Sequence, residues 1–185
     1  MERKSKRGER LDIAILNFIQ NNFHNGVADW LFPYITRMGN SGIIWVLISL
    51  CMVASKRYRK NGVLLLLSLV VTHVIGGMVL KPLLARPRPF IEFPGHHLLI
   101  PPPTGFSFPS GHAASSFAAA FVLWKTDRRF GIPAFVLAFL IAVSRVFLFV
   151  HYPSDILAGA ILGVLTSYFI LKSYKFTKNK RKFDY

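Results

Sequence analysis

The sequence predicts an all-α, polytopic transmembrane helix bundle of five to six spans, preceded by an amphipathic N-terminal helical segment. Three observations carry this. Of 185 residues, 52% are hydrophobic and only 17% charged, a balance outside that of ordinary soluble domains. Five apolar stretches approach the roughly 20 residues that a bilayer about 30 Å thick requires of a helix. The basic residues, 23 against 8 acidic ones for a net charge of +15, gather at the ends of those stretches rather than in one patch suited to nucleic acid. The apolar content excludes a disordered chain, and a single cysteine, Cys51, excludes a disulfide scaffold.

In chain order, residues 1–39 form a basic amino terminus and amphipathic helices. From Leu11 to Thr36 the polar residues Asp12, Asn17, Gln20, Asn21, Asn22, His24, Asn25 and Asp29 interrupt the apolar ones too often for a clean span, so one or two interfacial helices are expected. The core, residues 40–174, holds spans near Gly42–Ala54, Val63–Leu80, Ala113–Trp124, Ile132–Val150 and Ile156–Leu171. Residues 175–185 are a basic tail. Short cytoplasmic loops carry excess Lys and Arg. Thirteen of the 23 basic residues fall between spans one and two (Lys56, Arg57, Arg59, Lys60), between three and four (Lys125, Arg128, Arg129), and after five (Lys172 to Lys182). That face is assigned to the cytoplasm. Residues 81–112 and the turn at His151 then face outward. The cluster Arg3, Lys4, Lys6, Arg7 and Arg10 fits the same rule only if the amino-terminal segment also crosses, which leaves five and six spans both open. The first strongly apolar run starts after residue 40 with no small-residue cleavage site behind it, so no cleavable signal peptide is expected.

The remaining polar residues converge on one chemistry. Lys81, Arg86, Arg88 and Arg145 lie near the outer ends of spans. Arg145 lies inside one, where a charge calls for a partner or a wet cavity. A helix-locking pair of Arg145 with Asp155 is one reading when those two residues are taken alone. The neighbours favour another. Ser110, Gly111 and His112 open a span, which aims backbone N–H groups and the positive helix end at any bound anion. Lys81, Arg88 and Arg145 add cations, and with no cluster of carboxylates the set suits a phosphate rather than a divalent metal. Neither metal nor cofactor is expected. Asp155, four residues after His151, would fix the tautomer of that imidazole for attack on phosphorus, with His112 as acid and then base. Lys81, Arg88, Ser110, Gly111 and Arg145 would hold the phosphate oxygens. The reaction class is metal-independent phosphoester or pyrophosphate hydrolysis through a phosphohistidine.

Those residues resemble the type 2 phosphatidic acid phosphatase superfamily, whose motifs are K-x6-R-P, P-S-G-H and S-R-x5-H-x3-D. Here they are Lys81 to Arg88-Pro89, Pro109-Ser110-Gly111-His112, and Ser144-Arg145 to His151 to Asp155. Every fixed position is present, in order and spacing, across roughly residues 40 to 171. The resemblance implies a helical bundle with its site at the membrane–water boundary and a lipid phosphate as substrate. The expected substrate is undecaprenyl pyrophosphate, with phosphatidylglycerophosphate or phosphatidic acid as the alternative. The expected setting is the plasma membrane, multi-pass, with the site facing outward. The bilayer and the lipid are the partners expected, nucleic acid is not, and oligomeric state is left open. A lipid-binding or lipid-transport protein is the rival of a different class. The related vanadium haloperoxidases are soluble, against the five spans found here.

Elsewhere, His73 is expected to be a hydrogen-bonding core residue, and His96 and His97 a solvated loop pair. The Pro-rich loop 90–107 is expected to form a semi-rigid lid, and Gly159 and Gly163 to allow close helix packing.

Overall fold

A computed structural model describes the backbone of residues 7–183 and the side chains of residues 8–176. Arg3, Lys4, Lys6, the Arg7 side chain and the basic side chains from Lys178 to Lys182 lie outside the described residues. Within them the chain is helical with no strand. It runs α1 (Arg7–Asn22), α2 (Gly26–Met38), a 3-10 turn (Asn40–Gly42), α3 (Ile43–Ala54) and α4 (Arg59–His73). A π-helical stretch (Val74–Leu80) follows, then α5 (Lys81–Leu84), α6 (Pro89–Glu92), α7 (Gly111–Thr126), α8 (Arg128–Phe147) and α9 (Pro153–Phe183). All five apolar stretches are helical, the fourth as far as Phe147.

Among the described residues three segments are long and apolar enough to cross a membrane: Arg59–Glu92, Arg128–Phe147 and Pro153–Phe176. Gly26–Met38 with Asn40–Ala54, bent by 43°, makes a fourth if counted as one span. That pairing extends the first apolar stretch back through α2. The 16 residues of α7 rise only about 24 Å at 1.5 Å per residue. It is the central helix, packed against α3, α4, α8 and α9.

Small residues make that centre possible. Ala113, Ala114, Ala118, Ala119 and Ala120 of α7 are fully or almost fully buried. A Cβ on Gly163 would lie 2.1 Å from the Ala114 carbonyl oxygen, and one on Gly159 2.5 Å from that of Ser110. Only glycine allows α9 this close to α7, the packing expected of the pair. Buried polar groups pair between helices: Trp45 Nε1 donates to Ser116 Oγ at 2.9 Å, Thr72 and Thr166 hydroxyls meet at 2.6 Å, and Ser167 Oγ donates to the Ala118 carbonyl at 3.1 Å. His73 is not a core residue. It is exposed at the end of α4, with its ring over Gly77.

The basic loops share one end of the bundle. Tyr58 stacks edge-on against Phe130 at 5.8 Å, and Lys125, Lys172 and Lys175 line one hollow with Asn61. The opposite end carries Lys81, His112, His151 and Asp155.

Candidate active site

The turn from α8 to α9 is built tightly. The amides of Val150 and Phe149 donate to the carbonyls of Arg145 (3.1 Å) and Val146 (3.0 Å), the paired bonds of a Schellman motif, whose left-handed position normally holds glycine. Phe149 occupies it at φ 58°, 3% exposed and stacked on the exposed His96 ring at 3.9 Å. A bulky residue in this conformation costs about 1–3 kcal/mol and persists where surrounding packing imposes it. The turn delivers His151 two residues later, 2% exposed.

Asp155 then caps its own helix. Pro153 opens α9, and the Tyr152 amide donates to Asp155 Oδ2 at 2.9 Å, the backward half of a capping box. The same oxygen accepts from Ser107 Oγ at 2.5 Å and lies 3.3 Å from His151 Nδ1, while Oδ1 accepts from Arg86 at 2.8 Å. This network assigns the proton to Nδ1 and leaves Nε2 as the lone-pair nitrogen, 3.2 Å from an Arg88 NH group. Burial, reinforced by the Arg145 and Arg88 charges and opposed by the bond to Asp155, holds the His151 imidazole well below the ordinary histidine range. It is neutral at pH 7.

Ser110 caps α7, its Oγ accepting from the Ala113 amide at 3.4 Å, and its own amide donates to the Asp155 carbonyl at 3.1 Å. The two helix starts are thus tied together. A Cβ on Gly111 would meet nothing within 4 Å, so the space in front of this N-terminus is open to an anion. His112 Nε2 lies 3.0 Å from Asn40 Oδ1.

The loop after α6 holds two cations here, Lys81 from the start of α5 and Arg88 from just before α6. Arg88 donates to the carbonyls of Thr104, Gly105 and Val150, and Lys81 to that of Phe106. Leu98, Leu99 and Ile100 pack the same loop against Phe147, Leu148 and Val150. Arg145, 3% exposed, donates to Thr36 Oγ1 at 2.7 Å, and its Nε is buried without a partner. It forms no ion pair with Asp155. Among the described residues no carboxylate pairs with Lys81, Arg88 or Arg145. Yet Lys81 lies within electrostatic range of Arg88, Arg145 and Asp155, and His112 within range of His151 and all three cations. Three half-buried to buried cations without a carboxylate ion pair, around a helix N-terminus, favour an anion among them.

All eight residues named from the sequence lie at this end. Reading the sequence assigned no part in the site to Arg86, Ser107, Asp12, Ser154, Thr36 or Asn40. Arg86 and Ser107 stand beside motif positions, whereas Asp12 is one of eight polar residues in its segment and does not stand out there. Thr36 and Asn40 carry no signal.

The model of the PAP2 superfamily matches residues 61–179. An undecaprenyl-diphosphatase of Sulfolobus acidocaldarius is 34% identical over 155 residues, 83% of this chain and 72% of that protein. The crystal structure of Aquifex aeolicus LpxE superposes with a TM-score of 0.77 at 27% identity, covering 88% of this chain and 95% of that one. That of a transmembrane PAP2-type phosphatidylglycerolphosphate phosphatase from Bacillus subtilis gives 0.75 at 26%, covering 94% and 89%. The chain belongs to the PAP2 superfamily. It is a membrane lipid phosphatase, a hydrolase with several apolar helices.

Proposed function

We propose that this protein hydrolyses a lipid pyrophosphate at the outer face of the plasma membrane, converting undecaprenyl pyrophosphate to undecaprenyl phosphate. The observation that carries the reading is the set of three cations without carboxylate partners, Lys81, Arg88 and Arg145, gathered at the α7 N-terminus beside the neutral Nε2 of His151. A pyrophosphate brings up to three negative charges to match them. The 34% identical relative acts by its name on the undecaprenyl compound.

In the proposed reaction Nε2 of His151 attacks the terminal phosphorus as its bond to the bridging oxygen breaks, and His112 gives that oxygen a proton. Asp155 stabilises the positive imidazole that results. Lys81, Arg88, Arg145, Ser110 and the Gly111 amide hold the equatorial oxygens. His112, now the base, takes a proton from water as the water oxygen bonds to phosphorus and the P–N bond breaks. No metal takes part. Residues 40–174 hold this chemistry in five crossings, α7 being the short one, with α1 and α2 bracing the outer end or, in the six-span arrangement, adding the sixth crossing, and the basic tail, 175–185, inside.

The test is phosphate release by detergent-purified protein in EDTA, comparing an isoprenyl pyrophosphate with phosphatidylglycerophosphate and phosphatidic acid, with His151→Ala as the blank. Preference for the isoprenyl compound supports the reading. Preference for a glycerolipid, the substrate class in the name of the B. subtilis structural neighbour, moves the protein to phospholipid metabolism. No release above the blank points to lipid binding or transport, and loss in EDTA that magnesium restores overturns the metal-free mechanism.

A further inference from the structure

Asp12 sits on α1, 142 residues before its partner Ser154 and outside the segment that the family model matches. It is 5% exposed, an expensive place for a carboxylate. Its Oδ1 accepts from the Ser154 amide at 2.9 Å, and its Oδ2 from Ser154 Oγ at 2.5 Å and from Arg86 at 2.8 Å. The other NH group of Arg86 reaches Asp155 Oδ1 at 2.8 Å and Ser154 Oγ at 2.7 Å. The guanidinium lies over the Tyr152 ring at 3.8 Å. One cation is thereby fixed between two carboxylates, one on α1 and the other the partner of His151.

We propose that Asp12 is a positioning residue for the reaction, holding Arg86 and the first turn of α9 so that Asp155 keeps its place and its negative charge towards His151. Two effects follow from the contacts. The Ser154 amide is among the first N–H groups of α9, which have no carbonyl partner within the helix, and Asp12 caps it from another element. Asp12 also shares the charge of Arg86. Without it that guanidinium would pair with Asp155 alone. The net charge of the cluster would rise from −1 to zero, and the imidazole that turns positive on attack would lose its stabilisation. The amino-terminal helix is in this way part of the catalytic apparatus although it carries none of the three motifs.

The inference rests on the phosphohistidine reading, and the test separates the two. In Asp12→Asn the shape and the Ser154 amide bond are kept. The expected result is a kcat lower by about tenfold with KM within about twofold, because placement of the nucleophile is disturbed and substrate contacts are not. Arg86→Gln should cost at least as much, and the double variant no more than Arg86→Gln alone, since both act through one contact. Should Asp12→Asn fail to fold by size-exclusion profile and melting, Arg86→Lys replaces it, keeping the charge but not the forked bond, with the same expected fall in kcat. Unchanged kcat in a folded variant, a loss confined to KM, or losses that multiply in the double variant would each overturn the inference. If the wild-type protein releases no phosphate from any lipid phosphate, the proposed function fails and Asp12 has no nucleophile to position. That outcome is read from the wild type alone.

Discussion

Replacing Gly159 with alanine tests whether the closeness of α7 and α9 makes the site. Gly159 lies one turn after Asp155, where the α9 backbone passes the start of α7. A Cβ there would be 2.5 Å from the Ser110 carbonyl oxygen and 3.1 Å from Ala113 Cβ. Backbone on one side and a buried alanine on the other give it no flexible neighbour to displace, so the helices must part by roughly 1 Å to restore ordinary contact distances. That strain corresponds to overpacking worth about 1–3 kcal/mol. The parting falls on the Ser110 amide bond to the Asp155 carbonyl, 3.1 Å in the native chain, and pulls the phosphate-facing N-terminus of α7 away from His151. A misplacement near 1 Å costs up to about a hundredfold in rate. Gly159→Ala is therefore expected to lower kcat/KM for lipid phosphate hydrolysis by about ten- to a hundredfold and to depress the melting midpoint by several degrees. Gly26→Ala, whose new Cβ meets nothing within 4 Å, should match the wild type in both. Wild-type kcat/KM and midpoint in Gly159→Ala would refute the packing argument.

Three further outcomes follow from the same geometry. Arg145→Met removes a buried cation with an unpartnered Nε, so the ligand-free protein should melt higher while kcat/KM falls at least about a hundredfold; a destabilised variant would contradict the unpaired-charge reading. His151 has its folded-state pKa lowered by burial, so its share of stability is present above the unfolded value near 6.5 and is lost as pH drops below it. Histidine-resolved NMR should find this imidazole still neutral at pH 5.5, and protonation there would reverse the assignment. His112→Ala should slow hydrolysis most for substrates with the poorest leaving groups, and an equal loss across a leaving-group series would remove its role as acid.

The helices were legible because bilayer burial writes itself into composition. The five apolar stretches need no long-range information, and each is a helix. The motif residues were legible because their chemistry is local: His151 and Asp155 share one helix start, and Ser110 to His112 another. What stayed hidden is pairing across the chain. Arg145, read alone, asked for a partner, and Asp155 was the nearest carboxylate after it. The structure gives Arg145 to Thr36, 109 positions away, and Asp155 to Arg86, 69 away. Apolar periodicity cannot fix such contacts, because they depend on how segments distant in sequence meet at the end of the bundle that carries His151. His73 misled for a related reason: a histidine deep in an apolar run looks buried, but the π-helical turn after it carries Gly77 under its ring and leaves it exposed.

Trapping the covalent intermediate tests the central claim most directly. Detergent-purified protein would be mixed with an isoprenyl pyrophosphate radiolabelled at its terminal phosphate, quenched in alkali, where phosphohistidine survives, and digested for peptide mapping. The account predicts label on the peptide containing His151, lost on acid treatment and absent from His151→Ala. Turnover with no label on the protein, or label on any other residue, would contradict it.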